Sequence, residues 1–575
     1  MALADVDRDQ TRHVALVHGF GRLVDTPANR PAGPSASGRD AIASHTVRLL
    51  LCIGLVASAA CGGGAPAPPL VPATREPALS TEWWNGAVVY EVFVRSFSDS
   101  DGDGKGDLAG LIKKLDYLND GDPATSTDLG IDAIWLMPIY ASPSYHGYDV
   151  TDYDSVNPDY GSSATMDALI AECHRRGIKV ILDFVPNHTS IQHPWFASSH
   201  RDWYVWSTTN PGWTQPWGTG ATWYQAGGTS AWYYAVFWSG MPDLNWRNPA
   251  VRAEMDAIAG RWLARGVDGF RLDAVRYLIE DGAGLQEDRP ETHTCLGNWT
   301  AGVLATNPHA MIVGESWADC QTISTYFGAP AAGGLPLLFN FPLADAVVSG
   351  VAAGSARTIA AMLDTVARTY PAGSADAPFL TNHDQERVAS RLGGDPSRLK
   401  LAASILLTLQ GTPMIYYGEE IGMRNGSCSS DECKRTPMAW DGTAGAGFTA
   451  GTAWWPLSPG TSGTNVASQT GDPSSLLSRY RDLIRVRKAS PALSRGGTAR
   501  LPAEDANILA WLRTDPGETV LVAHNLGGST ASRSLTAAGT SAEPLLRDAG
   551  ATLAAAGGAW SVTLPPYGSG IWRLR

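Results

Sequence analysis

Gly266-Val267-Asp268-Gly269-Phe270-Arg271-Leu272-Asp273-Ala274-Val275-Arg276-Tyr277 is the run from which the fold is best read. Its short apolar core, entered through glycine, has the character of a buried β-strand, and side chains two apart on a strand point to the same side. Arg271 and Asp273 therefore leave the strand together. A guanidinium beside a carboxylate favours the charged acid, so Asp273 is expected to be ionised at neutral pH and available as a nucleophile. An ion pair that merely holds a loop looks the same in one strand, and the other strands must decide.

Outward from this run, strand and helix signals alternate from Glu82 onward, with candidate strands beginning near Val88, Ala133, Val180, Asp268, Met311, Leu337, Phe379 and Met414. Repeated βαβ units imply a parallel sheet, and eight strands are the number that closes a barrel. The expected fold is α/β, a (β/α)8 TIM barrel over residues 82–187 and 246–487. Residues 188–245 break the rhythm: they lack a long helix pattern and are rich in Trp, Tyr, Gly and Ser, so they read as an insertion after the third strand. Residues 488–575 turn to short alternating segments, such as Ile508 to Leu512 and Val520 to Ala523, and predict an antiparallel β-sandwich.

A chain of 575 residues with 44% hydrophobic composition can bury a large core. Its net charge of −13 offers no basic surface for nucleic acid, so a neutral partner is expected. Nine of the 21 Trp lie between Trp195 and Trp246, and such flat faces suit stacking on sugar rings as well as core packing.

In a barrel of this kind the chemistry sits at the C-terminal strand ends. There the third strand ends Asp183-Phe184-Val185-Pro186-Asn187-His188, the fifth Gly314-Glu315-Ser316-Trp317, and the seventh Thr381-Asn382-His383-Asp384. Asp273, Glu315 and Asp384 thus meet at one rim. Carboxylates converging without enough cations raise at least one pKa, as a nucleophile and general acid pair requires. A second acidic group, Asp99, Asp101, Asp103 and Asp107, recurs at alternate positions of a Gly-rich loop. With the Lys105 carbonyl as a fifth oxygen it suits a hard cation, Ca2+.

Residues 1–46 are polar and read as disordered or as preceding the true start, with translation beginning near Val47; residues 47–61 resemble a bacterial lipoprotein signal ending at Cys61. Residues 62–81 read as an extended linker. An exported protein is expected, extracellular or periplasmic, with lipid on Cys61 as a candidate membrane anchor. Export permits disulfides: Cys428 with Cys433 and Cys295 with Cys320 are candidate pairs, and Cys173 reads as a buried thiol.

Asp183 to His188, Gly269 to Asp273, Gly314 to Trp317 and Asn382 to Asp384 resemble, in order and spacing, the four sequence regions of the α-amylase family, glycoside hydrolase family 13. Gly411 to Glu420 resembles the family's eighth-strand segment, and the likeness runs over roughly residues 82 to 575. It implies Asp273 as nucleophile, Glu315 as general acid and base, and Asp384 on the 2- and 3-hydroxyls of the distorted sugar. It implies further that Tyr148 stacks under that sugar, that His188 and His383 hydrogen-bond its hydroxyls, and that Arg271 keeps Asp273 charged. The acidic loop resembles a calcium loop of oligo-1,6-glucosidase-like members, whereas Tyr277 stands where many α-amylases carry a calcium-holding His. Met241-Pro242-Asp243-Leu244-Asn245 resembles the signature of a group between oligo-1,6-glucosidases and neopullulanases. Tyr145 replaces the Asp with which exo-acting members grip a chain end, and Ala274 replaces the Val usual for α-1,6 bonds. The expected activity is endo-hydrolysis of α-1,4 bonds in starch-like glucans by a monomer, ahead of an exo-acting α-glucosidase or glucanotransferase and, distantly, of a non-catalytic glucan-binding protein.

Overall fold

The computed structural model describes residues 70–79, 81–197, 200–328 and 334–575. Eight short strands form the central sheet: β1 (Val89–Val92), β2 (Ala133–Leu136), β3 (Lys179–Phe184), β4 (Gly269–Leu272), β5 (Met311–Gly314), β6 (Leu337–Phe339), β7 (Ala375–Ala377) and β8 (Met414–Tyr416). They lie in the order β7-β6-β5-β4-β3-β2-β1-β8, every neighbour parallel. A parallel bridge between Phe379 and Met414 joins the two ends, so the sheet is a barrel. Buried on both faces, these strands are near-continuous apolar runs, as parallel strands covered by helices must be. Val89, Trp135, Ile181, Met311, Leu337 and Phe379 meet in the barrel interior. Helices between strands start at side-chain caps: Ser162 accepts from Thr165 N–H and Asn340 from Leu343 N–H, satisfying amides that have no partner within the helix.

The excursion after β3 opens at His188, which bridges Asp243 on the return, and contains a three-stranded antiparallel sheet of Trp206–Ser207, Trp223–Gln225 and Trp232–Tyr234. Its tryptophans pack among other aromatic rings, Trp195 on Trp203, Trp213 on Trp223 and Trp206 on Phe196. After the helix Leu476–Ala489 come two antiparallel sheets. Ile508, Leu521 and Trp572 of one pack against Trp560 and Val562 of the other.

Three expectations are corrected. The seventh strand does not begin near Phe379 but at Ala375; Pro378 lacks an amide to donate, so the ladder stops before the apolar residues that suggested it. The segment read as a linker ends in structure: Thr74–Arg75 is an edge strand on Gly497–Leu501, and Arg75 meets the buried Asp376 of β7 at 2.6 Å. Cys295 and Cys320 do not pair, both being buried free thiols like Cys173, while Cys428 and Cys433 are bonded. The expected disordered segment 1–46, the signal, Cys61 and linker residues 62–69 and 80 lie outside the described residues. Among the described residues no helix is long and apolar enough to cross a membrane.

Candidate active site

The C-terminal ends of β1, β3, β4, β5 and β7 bring one network of charges together. Arg271, 1% exposed, is its hub: Nη1 donates to Asp183 at 2.7 Å and to Asp273 at 2.6 Å, and Nη2 contacts Glu315 at 2.8 Å. The chain turns after Asp273 through Ala274, whose φ of 51° is uncommon for a residue with a Cβ. That turn lets the Ala274 amide donate to the same Glu315 carboxyl at 3.1 Å. Asp384 is held from the other side, by Arg435 Nη2 at 2.9 Å and His383 Nε2 at 3.2 Å, while Lys434 donates to its backbone carbonyl at 2.7 Å.

Three carboxyls were expected here; five are present, because Asp183 and Glu91 join Asp273, Glu315 and Asp384. Arg271, Arg435 and His383 answer them. Sharing one guanidinium among three acids has a consequence that Arg271 and Asp273 alone did not suggest. Burial pushes Asp273 up to about 6, with Arg271 pulling the other way and Asp183 adding to the rise. Asp183 is likewise pushed up to about 6 by burial against the same Arg271. Burial raises Glu315 too, Arg271 opposing and Asp273 reinforcing. Burial thus raises all three acids gathered around Arg271, and their protons belong to the group as a whole.

Tyr148 donates its hydroxyl to Asp183 at 3.0 Å and lies stacked on the His383 ring, centroids 5.6 Å apart. His188 is buried beside Phe237, and burial holds its imidazole down at about 3, hence neutral. The catalytic and substrate-binding candidates thus surround one rim. Two further residues belong to it that the sequence reading did not single out. Arg435 has no strand-end position to announce it. Glu91 had a visible signal, a lone acid inside the β-branched run of β1.

The acidic loop is a separate centre. Asp99, Asp101 and Asp107 each place a carboxylate oxygen within 4.8 Å of the others. Asp103 stands outside that group and accepts from the Lys105 amide, while the Lys105 ammonium is taken by Asp159 at 2.6 Å. Asp99 is fixed by amides of Asp101, Gly102 and Gly104 and by the Thr449 hydroxyl. Gly104 is required twice over, for its φ of 93° and because a Cβ there would meet the Thr452 carbonyl at 1.9 Å. Three ionisable carboxylates in contact, with the nearby lysine engaged elsewhere, form an all-oxygen set of the kind Ca2+ takes.

Comparison with known proteins agrees with this geometry. The family described as alpha amylase, catalytic domain, matches residues 91–496, and the alpha-amylase SusG C-terminal domain matches residues 508–571. The chain is 41% identical over 458 residues to alpha-amylase 3 of Dictyoglomus thermophilum, covering 77% of this chain and 85% of that protein. It is 33% identical over 527 residues to the oligo-1,6-glucosidase of Heyndrickxia coagulans, covering 79% and 93%. Among solved structures, the alpha-amylase from H. orenii superposes with a TM-score of 0.75 at 38% identity, over 85% of this chain and 100% of that one. The trehalulose synthase of Pseudomonas mesoacidophila superposes with a TM-score of 0.76 at 30% identity, over 86% and 100%.

Proposed function

Because the chain is a glycoside hydrolase of the α-amylase family, glycoside hydrolase family 13, we propose that it hydrolyses internal α-1,4-glucosidic bonds of starch-like glucans, with retention of configuration. The observation that carries the mechanism is the single guanidinium of Arg271 gripping both Asp273 and Glu315. It sets the two carboxyls side by side, which suits the about 5–5.5 Å spacing of a retaining pair better than the wider gap that admits water between them. Glu315, whose burial favours the protonated form, gives its proton to the glycosidic oxygen as Asp273 attacks the anomeric carbon. The carboxylate of Glu315 then takes a proton from water, which displaces Asp273 from the glycosyl-enzyme. Asp384, fixed by Arg435 and His383, binds the sugar's 2- and 3-hydroxyls; Tyr148 stacks below it, and neutral His188 donates to a hydroxyl.

Endo action is supported by Tyr145. Where exo-acting members carry an Asp, its ring stacks on Trp454, centroids 5.5 Å apart, and its hydroxyl is 3.3 Å from Arg435 Nη1. No carboxylate therefore stands at that position to cap a chain end. A maltooligosaccharide blocked at its non-reducing end tests this: internal cleavage is expected. If the blocked substrate survives while the free one is hydrolysed, the exo-acting α-glucosidase reading replaces it, which the oligo-1,6-glucosidase relatives make the natural second choice.

Ca2+ bound by Asp99, Asp101 and Asp107 belongs to the same proposal, supported by their convergence. So does export with lipid on Cys61, which the Cys428–Cys433 disulfide favours because such bonds persist in oxidising compartments. Intact-mass analysis of the native protein tests the acylation.

A further inference from the structure

Glu91 is a charged residue in the middle of a strand whose residues are all buried, and it is itself only 1% exposed. A buried charge in an apolar run is costly unless it is paired. Its partner is His383: Glu91 Oε1 lies 2.6 Å from Nδ1, and the imidazole is fully buried between them and the rim. On the other side of the ring, Nε2 faces Asp384 Oδ2 at 3.2 Å and the Tyr148 hydroxyl at 2.7 Å. Tyr148 spends its own proton on Asp183 Oδ2, so towards His383 it can only accept. Asp183 in turn receives Arg271 Nη1, which also donates to Asp273.

Each imidazole nitrogen therefore faces acceptors. A neutral ring carries one N–H, and whichever nitrogen lacked it would press a lone pair against a carboxylate. We propose that Glu91 is a positioning residue for the catalytic centre: by pairing with Nδ1 it holds His383 as an imidazolium whose Nε2–H orients Tyr148 and Asp384 towards the sugar. The hydrogen-bond chain Glu91, His383, Tyr148, Asp183, Arg271, Asp273 then runs unbroken from the first strand to the nucleophile. Burial would lower the imidazole, yet Asp384 and Glu91 together push it up to about 10. The other charged groups close by act in both directions. Asp183 supports the imidazolium, the Arg435 guanidinium, whose Nε donates to the His383 carbonyl at 3.1 Å, brings an opposing charge, and Glu419 lies near enough to Glu91 to sense its charge. The proposal rests on the glycosidase reading above for its consequence, though not for the protonation state.

The test is made on the full chain with 15N-labelled histidine, assigning His383 by its loss in His383→Gln. In the parent at pH 8 both ring nitrogens are expected to be protonated. Glu91→Gln keeps an acceptor for Nδ1–H but removes the charge, so one nitrogen should lose its proton at pH 8. The parent-to-variant ratio of kcat should grow between pH 6 and 9 to roughly tenfold or more, the scale of a modest misplacement of reacting groups. Glu91→Asp, which keeps the charge, should keep the doubly protonated ring. A neutral His383 in the parent, or a Glu91→Gln protein with the parent's spectrum and a constant kcat ratio, overturns the proposal. Should Glu91→Gln fail to fold, the parent spectrum alone decides. A chain without glycosidase activity would leave that spectrum readable, so the two readings fail separately.

Discussion

The molecule crowds carboxylates in two places, and it treats them in opposite ways. At the barrel rim, Asp183 and Asp273 are buried and Glu315 partly buried around Arg271, with Arg435 and His383 on Asp384. In the loop after β1, Asp99 and Asp107 are only partly buried or at the edge of burial and are held by backbone amides; Asp101 is exposed. Buried guanidinium can stabilise some of the rim's charges but not all, which splits the acids into donors and nucleophiles. Amides pin the loop's carboxylates without cancelling their charge, which is the basis of the hard-cation site proposed there. On the proposed reading, crowded acids serve catalysis where the cations are built in and metal binding where they are not.

The largest expected effect comes from breaking the rim. Asp273→Asn keeps the shape and removes the nucleophile, so hydrolysis of maltooligosaccharide should fall roughly ten-thousand-fold, measured by reducing-end release. Folding should survive, because Arg271 retains Asp183 and Glu315. The pH dependence has a definite sign. Asp273 is raised by burial to about 6 in the folded chain, so the contribution of its protonated form is complete below the unfolded value near 4 and is lost as pH rises through about 6. The melting temperature of Asp273→Asn relative to the parent should therefore improve across that interval. In the parent, kcat/KM should decline as pH drops below about 6, because a protonated Asp273 cannot attack the anomeric carbon. A parent profile still flat at pH 4.5 would show that Arg271 holds Asp273 fully ionised after all.

The next effect in size tests the loop. Chelating calcium from the purified protein should lower its melting temperature by several degrees, since a ligand at a hundred times its Kd contributes about 2.7 kcal/mol. Asp99→Asn should melt lower from the start and respond weakly to chelator. Turnover at 25 °C should stay within about twofold in both, because the loop supplies no group to the rim. This would separate the two clusters; equal loss of turnover and stability would join them.

Much of this was legible beforehand because both centres are written in short runs. Arg271 and Asp273 share a strand face, and the alternating Asp of residues 99 to 107 share a loop. The eight-strand rhythm was readable too, except at β7, where Ala375-Asp376-Ala377 is too small and too polar to look like a strand beside Phe379 and Leu380. Glu91 and Arg435 escaped because their meaning lies in contacts across 292 and 51 positions, with His383 and Asp384 respectively. Asp103 was overcounted for the converse reason: spacing places it with its neighbours, and only the direction of its side chain assigns it to Lys105.

The smallest expected effect sharpens how the loop holds its charge without a cation. Thr449 reaches Asp99 from about 350 residues away and donates its hydroxyl to the carboxylate. Burial pushes Asp99 up, but this hydroxyl and the amides of Gly102 and Gly104 outweigh it, so the acid sits below its usual value. A lowered pKa contributes stability that is present above the unfolded value and lost as pH falls through the folded one. Thr449→Val should thus cost about 1 kcal/mol or less in chelated protein near pH 7. The gap between parent and variant melting temperatures should close as pH falls below about 4, where Asp99 is protonated in both unfolded chains. With calcium restored at pH 7 the gap should widen, since a carboxylate free to rotate binds the ion less well. If the gap is the same at pH 7 and pH 3, the hydroxyl supports the fold of the loop rather than the charge of Asp99, and the loop would resemble the rim less as an electrostatic device than as a scaffold.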